Sequence, residues 1–341
     1  PARRLADLLL RPLPDMALRL WDAGALAALR DHLHRCPPDL IQVEGIEMAP
    51  YLFALRAGGV PLPPVLYDAH NAETLLQRRA ALADLRQPRR WPAALYSAIQ
   101  TLKLARYERR VLRAVAAVTA VSQPDAAALR RLAPGCDPAI LPNGVDLAAY
   151  DPTAPYPTPY PPDGAAQLLF TGKMDFRPNV DGVLWFVRRV LPLLHDQGLR
   201  PHFWIVGKNP HPRLHELRGR ADVTLTGFVP DVRPYLAHAD LYVAPLLAGG
   251  GTRLKIMEAM AMARPIIATR LAAEGFPVID GEHLVLADDP PAFARGCQAL
   301  LADRATAAAM AARGRAFVAR DYDWPRLLPG LEQLHSQLAR P

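Results

Sequence analysis

Apolar positions recur along this chain in two rhythms, and their alternation predicts the architecture. Short β-rich runs at Asp39–Glu44 (DLIQVE), Val65–Asp68 and Ala117–Val121 are separated by stretches of helical apolar spacing. Helical spacing first appears around Leu18 to Leu33, and a further helix is expected at Pro50–Ala57, between the first two strands. That makes a β-α-β unit with a parallel sheet. A helix start is predicted at Ser122, with Asp125 completing a capping box; a short strand then ends in PNGVD, Pro142–Asp146, where Asn-Gly turns the chain out of the sheet. Asp151–Asp163, DPTAPYPTPYPPD, has too many prolines for a helix or a central strand and reads as a stiff linker. Beyond it, strands at Gln167–Thr171, His202–Val206 and Val223–Thr226 alternate with helices at Asn179–His195, near Leu214 and at Val232–His238. Helical patterns close the chain at Pro290–Leu301, Thr306–Ala319 and Trp324–Leu338. The fold class is α/β with doubly wound parallel sheets, in two domains: 1–150, then after the 151–163 linker 164–320, with a closing helix in 321–341 expected to pack back towards the first.

One stretch carries most of the chemistry. Leu241–Thr269, LYVAPLLAGGGTRLKIMEAMAMARPIIAT, reads as strand, glycine loop, helix from about Arg253 to Ala263, and strand. Gly249, Gly250 and Gly251 let a diphosphate approach the backbone, Thr252 fits an N-cap, and the positive end of the helix dipole points at whatever sits over the loop. Arg253, Lys255 and Glu258 follow on the first two turns. Charges on a helix are ordinarily solvated surface, but a carboxylate among Ala, Met and Leu after a glycine loop favours a functional role here.

Composition narrows the class. With 341 residues, 51% of them hydrophobic and 21% charged, the chain is an ordinary globular one of about two domains. The formal charge of +7 suits an acidic partner without choosing among nucleotide, phospholipid and nucleic acid. Cys36, Cys136 and Cys297 have neither disulfide nor zinc spacing, so a reducing cytoplasm is the expected compartment. No apolar run reaches the length of a membrane span, and no signal peptide is visible. The chain opens on Pro1 without a methionine, and a fragment or a processed form is expected.

In the first half, His70 follows the second strand within Asp68, His70, Asn71 and Glu73, where open α/β sheets place ligands; an ordinary surface histidine is the equal alternative. From Arg78 to Arg113, ten basic residues (Arg78, Arg79, Arg86, Arg89, Arg90, Lys103, Arg106, Arg109, Arg110 and Arg113) are interleaved with Leu82, Leu85, Trp91, Leu95, Tyr96 and Leu102. This segment reads either as a face that docks on an anionic membrane or as a solvated helical face, and no nucleic-acid motif accompanies it. GGGTRLK lacks the third glycine of a dinucleotide fingerprint and comes late in its domain, and no loop ends in Gly-Lys-Ser/Thr, so nicotinamide and P-loop chemistry are excluded.

GKMDFRPN (172–179), VGKNP (206–210), LTGFVPDVRPYLAHADLYVAPL, and GGGTRLKIMEAMAMARPIIAT followed by AAEG (272–275) together resemble the donor-binding half of family 4 glycosyltransferases of the GT-B fold (glycosyl transferases group 1), in particular bacterial members that build exopolysaccharides. DAHNAE, YERRVLRAVAAVTAVSQPD and PNGVD resemble the same family in the same order, so the likeness runs from about Asp39 over nearly the whole chain. It implies two Rossmann-like domains facing across a cleft that holds a UDP- or GDP-sugar, and transfer with retention to a glycan or lipid-linked acceptor; the docking reading of the basic segment 78–113 adds a peripheral place on the inner face of the plasma membrane. Residue by residue, it implies that Glu258 bonds the ribose hydroxyls and that Lys255, Arg253 and the amides of Gly250 to Thr252 neutralise the diphosphate. Lys173 or Arg177 is the other implied phosphate cation, Phe228 and Val229 after Gly227 receive the base, Gly207 lines the donor site, and His70 lies near the transferring sugar.

The mechanism so implied uses no protein nucleophile and no metal: no Asp-x-Asp adjoins a strand, and cations with helix amides stabilise the leaving diphosphate. The sequence departs from the family at Gly250, where its E-x7-E signature has the first glutamate, and at Leu247, where variants of this kind often carry a basic residue. Nothing before Asp39 reads as the opening strand and glycine-rich loop of the family, so the first domain is expected to lack them. The rival functions are a catalytically inactive sugar-nucleotide-binding or scaffolding protein of the same fold and, more distantly, a sugar-nucleotide epimerase.

Overall fold

The computed structural model describes residues 12–85, 91–249 and 254–339, and the chain divides into two compact units, Pro1–Pro142 with Leu328–Pro341, and Asn143–Leu327. In the first, helices α1 (Asp15–Leu18) and α2 (Ala23–Arg35) precede strand β1 (Ile41–Glu44), then α3 (Ala49–Ala57), β2 (Val65–Ala69), α4 (Glu73–Leu85), α5 (Trp91–Ala114), β3 (Ala117–Ala120), α6 (Gln123–Leu132) and β4 (Ala139–Ile140). The strands form a parallel sheet in the order β1-β2-β3-β4, with Ile41 opposite Val65 and Leu66 opposite Ala117. Val65, Leu66 and Tyr67 are almost fully buried because helices cover both faces of a parallel sheet. The Ser122 side chain accepts from the Asp125 amide at 3.2 Å, forming the expected cap of α6.

The second unit holds β5 (Gln167–Thr171), α7 (Arg177–Trp185), α8 (Leu191–Asp196), β6 (His202–Val206), β7 (Val223–Gly227), α9 (Arg233–His238), β8 (Leu241–Ala244), α10 (Leu254–Ala261), β9 (Ile266–Ala268), β10 (Val285–Leu286), α11 (Pro290–Ala302), α12 (Arg304–Asp321) and the start of α13 (Trp324–Leu338). Its six strands are parallel in the order β10-β9-β8-β5-β6-β7. The single helix expected over Asn179–His195 is two helices joined by a π turn at Phe186–Val190, in which the Leu191 amide donates to the Phe186 carbonyl. Pro192 has no N–H to continue the ladder, so the turn widens there.

The proline-rich stretch belongs to the second unit, and the division falls before it, between Pro142 and Asn143. Prolines prevent regular backbone pairing but not side-chain burial. Tyr160 is buried against Trp204 and Tyr235, with ring centroids 5.1 and 5.8 Å away, and its hydroxyl donates to the Tyr235 carbonyl at 2.7 Å. Just upstream, the Val145 amide donates to the Tyr322 carbonyl at 2.9 Å, and a Cβ on Gly144 would meet the Trp324 ring at 2.6 Å, so only glycine allows this approach. In the first unit, α13 is tied to the sheet edge by a 2.6 Å hydrogen bond between His335 Nε2 and Gln42 Oε1.

Candidate functional site

Strands β5 and β8 are neighbours in the sheet, yet the chain leaves β5 towards β6 and β8 towards β9. A crevice opens where connections diverge in this way, at the carboxyl ends of the strands. Two sequence-predicted loops flank it: Gly172 and the residues after it follow β5, and the glycine loop follows β8. Gly249 has φ +119, a conformation that favours glycine. Gly250, Gly251, Thr252 and Arg253 lie outside the described residues, and with them the expected amide cradle and N-cap.

Helix α10 presents Lys255 and Glu258 three residues apart, hence on one face, while Ile256, Met257, Ala259 and Met260 on the remaining faces are buried. The Lys255 ammonium donates to Asn179 Oδ1 at 2.7 Å and sits 4.2 Å from the centroid of the buried Phe170 ring. Asn179 Nδ2 donates to the Lys173 carbonyl at 2.9 Å. Gly172, at φ +150, leaves room for both: a Cβ there would lie 2.7 Å from Lys255 Nζ and 2.8 Å from Asn179 Nδ2. Gly207, at φ +157, has a related role, because a Cβ on it would fall 1.7 Å from the Gly172 carbonyl oxygen. This glycine lets the loops after β5 and β6 run against each other.

Glu258 Oε1 accepts from the Tyr150 hydroxyl at 2.9 Å. Burial, and next the Glu258 charge, push the Tyr150 phenol well above its usual range, so it stays protonated and a donor. Lys173 pairs with Asp175 at 3.4 Å and Arg177 with Asp181 at 3.3 Å, both as surface pairs. Val229 packs on the core, whereas Phe228, beyond the edge strand β7, is 72% exposed. Asn179 and Tyr150 carry little signal in the sequence beyond lying in GKMDFRPN and shortly after PNGVD.

In the first unit, His70 follows β2. Its Nε2 lies 2.9 Å from Glu44 Oε2, at the end of β1, and 3.7 Å from Asp68 Oδ2. Burial acts to raise the Glu44 carboxyl, but hydrogen bonds from His70 and Gln42 hold it below its ordinary value. Burial raises Asp68 against the bond that its Oδ1 accepts from Thr119 at 2.6 Å, and the Glu44 charge adds to the rise. Glu44 was not anticipated from sequence. Asn71, expected beside His70, instead donates to Glu73 Oε1 at 3.0 Å. Glu44, Asp68 and His70 also form the one group of possible metal ligands among the described residues, with ligating atoms within 4.8 Å of each other.

Lys255 and Glu258 thus stand beside the switch point of a doubly wound parallel sheet, where open α/β sheets place their ligands. Two family models divide the chain: Glycosyltransferase Family 4 matches residues 2–149, and Glycosyl transferases group 1 matches residues 165–303. The chain belongs to this glycosyltransferase family, and its two parallel-sheet units have the GT-B fold. A phosphatidyl-myo-inositol mannosyltransferase of Mycolicibacterium smegmatis is 32% identical over 196 residues, which cover 56% of this chain and 49% of that protein. The chain thus spans about half the length of the curated relatives it matches. Among solved structures, sucrose-phosphate synthase from Thermosynechococcus elongatus aligns with TM-score 0.72 at 21% identity, over 92% of this chain and 77% of that one. Anabaena HepE in complex with UDP and glucose aligns with TM-score 0.66 at 17% identity, over 92% and 82% respectively. At these identities the structural likeness speaks for the fold alone.

Proposed function

We propose that this glycosyltransferase moves a sugar, with retention of configuration, from a UDP- or GDP-sugar to a glycan or lipid-linked acceptor in polysaccharide biosynthesis. The observation that carries this reading is the placement of Lys255 and Glu258 on one face of α10, beside the β5/β8 switch point. Glu258 accepts hydrogen bonds from the ribose hydroxyls, and Lys255 with Arg253 and the loop amides of Gly250, Gly251 and Thr252 stabilises the charge that develops on the leaving diphosphate. Lys173 or Arg177 adds a further cation, and the exposed Phe228 ring with Val229 offers an apolar seat for the base. His70, oriented by Glu44, is assigned to the transferring sugar from the family resemblance. No metal is called for in this scheme, since cations and amides carry the charge. The similar phosphatidyl-myo-inositol mannosyltransferase and the similar fold solved with UDP and glucose support a nucleotide-sugar donor and a lipid-linked acceptor. The protein acts on the cytoplasmic side, with the 78–113 segment against an anionic membrane and no role for nucleic acid.

Release of nucleoside diphosphate from UDP-, GDP- and ADP-hexoses, followed with and without lipid acceptor, tests the reading. Turnover is expected with at least one donor, and Glu258→Ala should weaken nucleotide binding by about tenfold to a hundredfold, the worth of a lost charge-assisted hydrogen bond. Binding by calorimetry without any release would leave the donor-binding, non-catalytic function that Gly250 suggests. Unchanged affinity in Glu258→Ala would remove the site assignment.

A further inference from the structure

We propose that Asn179 is a positioning residue of the donor site: it fixes the Lys255 ammonium at the switch point and locks it to the backbone of the loop after β5. The inference rests on the reading of Lys255 as the diphosphate cation. Asn179 lies in the first turn of α7, is 5% exposed, and sits among the buried Val180, Gly182, Val183 and Leu184. A carboxamide in such a place costs stability unless both of its ends are bonded. Here both are, and to different elements: Oδ1 takes the Lys255 ammonium on α10, and Nδ2 gives to the Lys173 carbonyl beyond β5. The orientation is determined, because a flipped amide would set its NH2 against the ammonium and its oxygen against a carbonyl.

Two further features serve the same arrangement. Gly172 has no side chain where a Cβ would strike both Lys255 Nζ and Asn179 Nδ2, and the Phe170 ring lies under the ammonium at 4.2 Å, a favourable cation–π geometry. A merely core-filling residue would need neither. Asn179 also holds the ammonium without adding a negative charge, whereas a carboxylate at this position would oppose an incoming diphosphate. Through the Lys173 carbonyl, the same amide ties the lysine to the conformation of the loop that carries Lys173 itself.

The test is a double-mutant cycle on nucleotide affinity, read by calorimetry with UDP and GDP. Asn179→Ala is expected to raise Kd by about five- to twentyfold, as loss of a hydrogen bond to a charged group does. In a Lys255→Ala background the same change should alter Kd by less than about twofold, because a residue acting only through its neighbour is not additive with it. Equal losses in both backgrounds would show a general structural role and overturn the proposal, as would unchanged affinity in Asn179→Ala. If Asn179→Ala does not fold, the near-isosteric Asn179→Asp decides. Its carboxylate, set against the Lys255 ammonium, should partly neutralise that cation and weaken binding of both nucleotides, and the loss should be smaller in the Lys255→Ala background. Unchanged affinity in Asn179→Asp, or an equal loss in both backgrounds, would also overturn it. If Lys255→Ala binds both nucleotides as the parent does, or the parent binds neither, the donor-site reading itself fails and the role of Asn179 falls with it.

Discussion

Tyr150 stands 108 residues from Glu258 in the chain, yet its hydroxyl donates to Oε1 of that carboxylate at 2.9 Å. The chain around it is itself secured, since the Arg315 guanidinium donates to the Tyr150 carbonyl at 2.9 Å. With one oxygen held by the phenol, the carboxylate is held in a fixed rotamer, which would serve the ribose contact proposed for it. Tyr150→Phe keeps the ring and removes the bond, so nucleotide affinity should fall by about three- to tenfold, the worth of about 1 kcal/mol, with little change in Tm. Calorimetry beside thermal melts checks this, and an unchanged Kd would mean that Glu258 needs no such support. Glu258 and Lys255 were legible in sequence because a polar residue in an apolar helix is conspicuous. Tyr150 and Asn179 were not, since each looks ordinary until its distant partner is known.

At the scale of elements, α4 begins immediately after the His70 segment, and its first amides are capped from α5. Glu108, fully buried, accepts from the Glu73 and Thr74 amides at 2.9 and 3.1 Å. A carboxylate at a helix N-terminus satisfies otherwise orphan donors. Burial, together with the charge of Glu108, leaves Glu73 with a pKa of about 7 instead of an ordinary 4.5, despite the bond from Asn71. The folded chain therefore holds a proton at Glu73 where the unfolded chain does not. The resulting stability is present below about pH 4.5 and is lost as pH rises through about 7. Glu73→Gln should stabilise the first unit by on the order of 1–3 kcal/mol at pH 8 and scarcely at all at pH 4.5, as Tm measured across that range would show. A gain of equal size at both pH values would contradict the assignment. Helix and strand identities were readable from periodicity, but not the π turn at Phe186–Val190 or the cap that α5 lends to α4, which depend on what packs nearby.

At the scale of the molecule, no helix among the described residues is long and apolar enough to cross a membrane. Yet Leu82, Leu85, Trp91, Leu95 and Leu102 of α4 and α5 are all half or more exposed. Arg86, Arg89 and Arg90 of the same basic segment fall outside the described residues. Arg109 and Arg110 are engaged within the unit, on the Leu132 carbonyl and the Phe53 ring. Apolar side chains so exposed beside basic ones fit an anionic bilayer, each nearby cation adding about 1 kcal/mol at low salt. In flotation with vesicles containing anionic lipid, the protein should float at low salt, sink at about 0.5 M salt where screening is short-ranged, and float less as Trp91→Ala/Leu95→Ala. Failure to float at low salt would return the segment to a solvated face.

The alternating periods, the glycine loop and the order of motifs by themselves determined an α/β fold with parallel sheets, the family, and the helix that bears Lys255 and Glu258, because these features are local in the chain. Only the tertiary structure decided that the proline-rich stretch packs onto the second unit, that Glu44 meets His70, and that Asn179 and Tyr150 grip the two charged residues of α10. Those are pairings between segments tens to more than a hundred residues apart, where burial and hydrogen-bond satisfaction, not sequence spacing, choose the partner.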